Sequence, residues 1–143
     1  MGLLDSSAQE PRSKVLQWSI SGVALAMAVA VLIWYLLRFQ EEKQAVARFF
    51  EALVAGDTKR AYELWQPNPL YTYELFLEDW GPQGEFGPVR SFRITAATRP
   101  RRASGVVVAV EVSPKAPFDG SDPAVKEVKI WVEFKDKSLG FAP

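Results

Sequence analysis

Tyr62, Tyr73 and Asp79 are the residues best placed by type and position for acid–base chemistry in this sequence. Hydroxyls, carboxylates, Lys and Arg must carry any such chemistry, because the 143 residues include no His and no Cys. That absence removes zinc fingers, thiol nucleophiles, haem ligation by His and His-based triads. It also removes disulfides, so cysteine usage says nothing of the redox compartment. Each candidate has a simpler role. Tyr62 and Tyr73 sit in or beside apolar stripes and read as core. Asp79 follows Glu78 in the last turn of a helix, where the dipole opposes a carboxylate. The two are adjacent, and neighbours i and i+1 point to different faces. The expectation is a non-enzyme with no cofactor and no metal. Gly81, Gly84 and Gly87 do not form a phosphate cradle, since no Lys-Ser/Thr follows and a strand comes next. Asn68 precedes Pro69, which closes glycosylation.

Charge is more informative than motif. The 17 basic and 17 acidic residues cancel, which argues against a nucleic-acid partner. The balance hides two blocks. Glu63, Glu74, Glu78, Asp79 and Glu85 fall in a stretch without bases; Arg90, Arg93, Arg99, Arg101 and Arg102 fall in one without acids. Arg90 and Arg93 could be screened internally by the acidic helix. Arg99, Arg101 and Arg102 mark a hairpin tip, where side chains reach outward to lipid phosphates or an acidic protein surface. Trp131 falls on the polar face of its strand, with Lys129 and Glu133, as an interface anchor.

The elements that position these residues begin with residues 15–37, VLQWSISGVALAMAVAVLIWYLL, 23 positions without a charge. At 1.5 Å per residue this is roughly 34 Å of helix, enough for a hydrocarbon core of about 30 Å. Lys14 and Arg38 bracket it, and Trp18, Trp34 and Tyr35 suit the headgroup zones. Cleavage as a signal peptide after Ala28-Val29-Ala30 would leave an apolar VLIWYLL terminus, so the segment reads as an anchor. Gly22, Ala26 and Ala30 recur one per turn, a stripe that lets another helix approach. Three flanking cations on the C-terminal side against two on the other leave orientation nearly balanced; a signal-anchor layout places the larger domain outside. Residues 1–14 form an N-terminal tail, and its myristoylation-like start, Met1 to Ser6, is a chance match.

Residues 38–143 form one soluble domain. The helix continues past Arg38, with Val46, Phe49, Phe50 and Leu53 at helical spacing and Gly56 as its end. Asp57 caps a second helix over 58–65 that buries Ala61, Leu64 and Trp65. Asn68-Pro69 opens a third, carrying Tyr73, Phe76, Leu77 and Trp80. The period then becomes two. Phe92, Ile94 and Ala96 alternate with Arg93, Thr95 and Ala97, and Val106, Val108, Val110 and Val112 form a second strand. After the loop at 114–123, Val128, Ile130, Val132 and Phe134 face one way in a third strand. Leu139 and Phe141 add a short fourth. The fold class is α+β: an N-terminal transmembrane helix, then about three helices on a curved antiparallel sheet of three to four strands.

The segment RFFEALVAGDTKRAYEL (48–64), through Phe50, Leu53, Gly56, Asp57, Ala61 and Tyr62, resembles the opening of a superfamily of cone-shaped α+β proteins. That superfamily includes nuclear transport factor 2, ketosteroid isomerase and SnoaL-like proteins. The likeness spans about residues 40–142. It implies a cone that Phe49, Phe50, Tyr62, Trp65, Phe76, Trp80, Phe92 and Phe134 would line or fill. The one-span layout is also similar to membrane-anchored assembly factors of the cytochrome oxidase assembly factor 1 type. The function expected is that of an accessory subunit of a membrane complex, respiratory or photosynthetic, whose partners are other membrane subunits and the lipid bilayer. A transient assembly factor and a ligand-binding or catalytic cone are the alternatives.

Overall fold

The computed structural model describes residues 13–66 and 68–143; the tail at 1–12, with its myristoylation-like start, lies outside the described residues. The chain divides into two compact units, Met1–Arg38 and Phe39–Pro143. The first is helix α1 (Gly2–Leu37), described from Ser13. It is long and apolar enough to cross a membrane, and none of its apolar window is buried. Trp18 is 81% and Leu25 68% exposed. At its C-terminal end the Arg38 guanidinium lies over the Trp34 ring, 5.2 Å from the centroid, as suits an aromatic at a headgroup boundary.

The helix does not continue unbroken into the domain. Phe39 takes the left-handed conformation (φ 62°) and separates α1 from α2 (Gln40–Val54). A side chain there costs about 1–2 kcal/mol. The Phe39 ring offsets this by stacking on Phe134, with centroids 6.2 Å apart. Helix α2 carries the expected stripe: Val46, Phe49 and Phe50 are fully buried, and Leu53 nearly so. Gly56, at φ +78°, then turns the chain as only glycine does without strain.

Helix α3 (Thr58–Leu64) starts as expected, with Asp57 Oδ1 accepting from the Arg60 N–H at 3.1 Å. Ala61 and Trp65 are buried and Leu64 half-buried. The next boundary differs. Asn68 does not cap a helix; its Oδ1 accepts from the N–H groups of Leu70 (2.9 Å) and Tyr71 (3.1 Å), closing a tight turn. Helix α4 (Tyr73–Trp80) is capped instead by Thr72, whose Oγ1 faces the Leu75 N–H.

The strands β1 (Ser91–Thr98), β2 (Gly105–Ser113), β3 (Lys126–Glu133) and β4 (Leu139–Phe141) form an antiparallel meander in the order β1-β2-β3-β4. Between Ile94 and Ala96 the β1 register shifts: Ile94 pairs with Val110, and Ala96 with Ala109. Thr95 is the bulged residue, and its hydroxyl donates to the Ala109 carbonyl at 3.2 Å. The bulge flips the alternation, so Ala97 rather than Ala96 joins Phe92 and Ile94 against the core.

Helices and sheet are joined by rings. Phe49 meets Phe50, Trp65, Phe76 and Trp80 with centroids 5.0–6.1 Å apart. Trp80 also meets Phe86 at 5.0 Å and stacks on Phe141 at 5.7 Å. Of the rings expected to line a cone, Phe49, Phe50, Trp65, Phe76 and Trp80 are buried, and Tyr62, Phe92 and Phe134 half-buried. Phe86 and Phe141, which the periodicity did not place there, complete the packing.

Candidate functional site

The two faces of the sheet differ. Val106, Val108, Val110, Val112, Val128, Ile130 and Val132 are buried toward the helices. The register places Thr98, Val107, Trp131 and Gly140 in one row of the other face, then Ala96, Ala109 and Lys129, then Arg93, Glu111 and Glu127. These are exposed or half-buried. Trp131 lies where expected, on this outer face, and it is held there. Its indole rests on Gly105, where a Cβ would come within 2.8 Å of ring atoms Cε2 and Cζ2. Its Nε1–H donates to Glu133 Oε1 at 2.9 Å, and the Ser104 hydroxyl donates to the same oxygen at 3.1 Å. The result is a half-buried, pre-positioned aromatic among small neighbours, the kind of rigid surface an interface anchor uses.

The β1–β2 hairpin tip adjoins this row. Arg99 does not reach outward as expected. Its Nε and Nη2 both donate to the Ala103 carbonyl (3.1 and 3.0 Å), and its guanidinium lies 5.0 Å over the Phe134 ring. A carbonyl left open by the tight turn is a local acceptor that captures the fork. Arg101 and Arg102 are exposed and make no hydrogen bond or ion pair among the described residues. Arg102 occupies the left-handed region (φ 58°) at the turn.

The internal screening expected for Arg90 and Arg93 does not form. Arg93 pairs with Glu111 across the strands, Nη2 to Oε2 at 3.0 Å, and lies 4.9 Å over Phe118. Arg90 is exposed. The acidic block enters none of the ion pairs of the described residues, which are Arg93–Glu111, Lys115–Asp122 and Lys137 with Glu41 and Glu42. Cross-strand geometry gives Arg93 a nearer carboxylate than any on α4.

Two of the three acid–base candidates, Tyr62 and Asp79, bond to Tyr71, a residue the sequence did not single out. The Tyr71 hydroxyl donates to Asp79 Oδ2 at 2.5 Å, and the Tyr62 hydroxyl donates to the Tyr71 carbonyl at 2.8 Å. Tyr73 and Thr58 share a hydroxyl–hydroxyl bond of 2.7 Å. Burial first, and the Asp79 carboxylate second, push the Tyr71 phenol well above the ordinary tyrosine range. Each of these groups is spent on an internal bond: Tyr62 and Asp79 tie α3 and α4 to Tyr71, and Tyr73 ties α4 to α3. Among the described residues, no three carboxylates converge as metal ligands.

Glu42 was also missed, and it had a signal: it falls four residues before Val46, on the apolar stripe of α2. Its side chain is 8% exposed and bonds to Lys137 Nζ at 2.8 Å, while Glu41 reaches the same ammonium at 3.4 Å. The hydrogen bond with Glu42 raises the Lys137 pKa.

On α1, Gly22, Ala26 and Ala30 are exposed, and a Cβ on Gly22 would meet nothing within 4 Å. At 100° per residue they advance by about 40° per step and stay within one arc. Ala24 and Ala28 fall on the far side, so the helix offers close approach from two directions.

Comparison with known proteins gives no match: no family model, no curated protein and no solved structure is significantly similar to this chain.

Proposed function

We propose that this chain is a non-catalytic accessory subunit of a larger membrane protein complex. In this reading α1 is a single transmembrane span and the cone-like α+β domain lies on the extracytoplasmic side. The observation that carries it is α1 itself: residues 15–37 hold no charge, and every one of them is exposed. Lipid and neighbouring helices are the solvent such a surface fits. Two further features support it. The outer face of the sheet presents Trp131 without a covering helix of its own, and the tyrosine–aspartate cluster is committed to internal bonds.

The test is mild-detergent extraction of the native membrane, then sizing and mass spectrometry of what travels with the chain. Migration at fixed ratio with a large complex supports the subunit reading, and the co-migrating chains name the complex. Substoichiometric association favours a transient assembly factor. Migration alone overturns both and redirects attention to ligand binding by the cone.

A further inference from the structure

The hairpin tip lies at the end of the domain where the chain enters it, and that decides what its arginines meet. Phe39 opens the domain and follows Leu37, the last residue of α1, by two positions, a reach of about 8 Å at most. The Phe39 ring stacks on Phe134 at 6.2 Å, and Phe134 carries the Arg99 guanidinium at 5.0 Å. Ser104, at the tip, bonds to Glu133, one residue before Phe134, and the Phe134 N–H bonds to the Ser104 carbonyl at 3.0 Å. One end of the sheet therefore gathers the chain entrance, Arg99, Arg101, Arg102 and Lys135. The other end carries both signs, with Glu85, Asp119 and Asp122 beside Arg90, Lys115 and Lys126. Lys126, which opens β3, donates to the Glu85 carbonyl at 2.6 Å, and the Glu85 N–H bonds back to the Glu78 carbonyl. The eight residues of β3 separate the two ends by about 26 Å.

The carboxylates near the entrance are already engaged. Glu133 accepts from Trp131 and Ser104, Glu41 and Glu42 hold Lys137, and Asp136 accepts from the Ser138 N–H. Arg101, Arg102 and Lys135 are exposed cations with no ion pair among the described residues.

We propose that this end of the domain, through Arg101 and Arg102 supported by Lys135, binds the phosphates of anionic phospholipid headgroups. This rests on the reading of α1 as a membrane span. Anionic lipid is chosen over an acidic protein because the covalent chain tethers this end within two residues of the last residue of α1, the proposed span. Two fewer cations near such a surface weaken its attraction about 30-fold.

The full chain has no native Cys, so a single nitroxide can be placed at Ala103→Cys, with Glu85→Cys as the far-end control. Each is reconstituted in nanodiscs of phosphatidylcholine, with and without phosphatidylglycerol. Accessibility is read with lipid-soluble oxygen and a water-soluble nickel chelate. The expected result is shielding at position 103 only with the anionic lipid, its shielded-to-exposed ratio falling about 30-fold on Arg101→Gln/Arg102→Gln, while position 85 stays in water throughout. Equal accessibility at 103 in both lipids, or shielding indifferent to lipid charge, overturns the proposal and leaves the arginines to an acidic protein. Alkaline carbonate washing of the same samples keeps the two readings apart: a chain that washes off fails as a span, whereas one that stays while position 103 is unaffected fails only as a phosphate binder.

Discussion

Helices α1 and α2 are consecutive in the chain, yet their apolar residues have opposite fates. In α1 from Ser13 onward they point in every direction and all are exposed, Trp18 at 81%; in α2 they form one stripe, with Phe49 at 0%. The difference lies in pattern, not in hydrophobicity alone. A stripe can be covered by one sheet, and α2 touches β1, β2 and β3. An all-round surface needs a surrounding apolar medium. Phe39 sits at the change of pattern, and the backbone breaks there despite the absence of any Gly or Pro between Arg38 and Val54.

Two substitutions test this contrast by separating its halves. Phe49→Ala removes a ring that touches four others and leaves a cavity, at a cost of about 3–5 kcal/mol to the domain. Denaturant unfolding of the full chain in detergent measures it, and carbonate resistance should not change. Leu25→Arg does the reverse. A cation at the middle of a span costs about 3 kcal/mol of insertion free energy, read as the inserted fraction in an in vitro translocation assay. The domain's unfolding midpoint should stay put. If Leu25→Arg leaves insertion unchanged, α1 is not a span; if Phe49→Ala impairs insertion, the halves are not independent.

What the sequence made legible follows the same line. Periodic features survived: the uncharged segment, the α2 stripe, the Asp57 cap, the valines of β2 and β3, and the polar face bearing Trp131. Features set by a single long-range contact did not. The Thr95 bulge depends on pairing across to Ala109, and Phe39 on a ring 95 positions away. Asn68 was legible as a capping residue but not as the holder of a turn, because local bonding serves either purpose. Arg99 was misjudged for a related reason: a tip position exposes the backbone, but Ala103 offers a carbonyl within reach of the fork.

A smaller effect comes from the one carboxylate buried on the α2 stripe. Glu42→Gln keeps an acceptor for Lys137 but removes the charge that strengthens the bond, for a loss of about 1–2 kcal/mol. Glu41 remains in reach at 3.4 Å and limits the damage. Glu41→Gln, at an exposed side chain, should be near neutral, so the difference between the two variants in unfolding free energy isolates burial. Equal losses would mean that Glu42 is no more committed than a surface residue.

The smallest and most diagnostic effect belongs to Tyr71. Its phenol is pushed up by burial, then by Asp79. Tyr71→Phe removes one hydrogen bond and should cost about 1 kcal/mol at neutral pH. The pH dependence separates this from a packing effect. An acid whose folded pKa is raised stabilises the fold fully below its unfolded pKa, here about 10, because both states then carry the proton. Above that value the unfolded chain releases its proton while the folded one keeps it, and the advantage shrinks. Lys137, also raised, loses its contribution in the same direction as it deprotonates through its folded pKa. The native chain should therefore weaken above about pH 10, and Tyr71→Phe should converge on it as pH rises. Equilibrium unfolding across neutral to alkaline pH measures the gap. A gap that stays constant would mean that Tyr71 acts through packing alone and that its bond to Asp79 contributes nothing to stability.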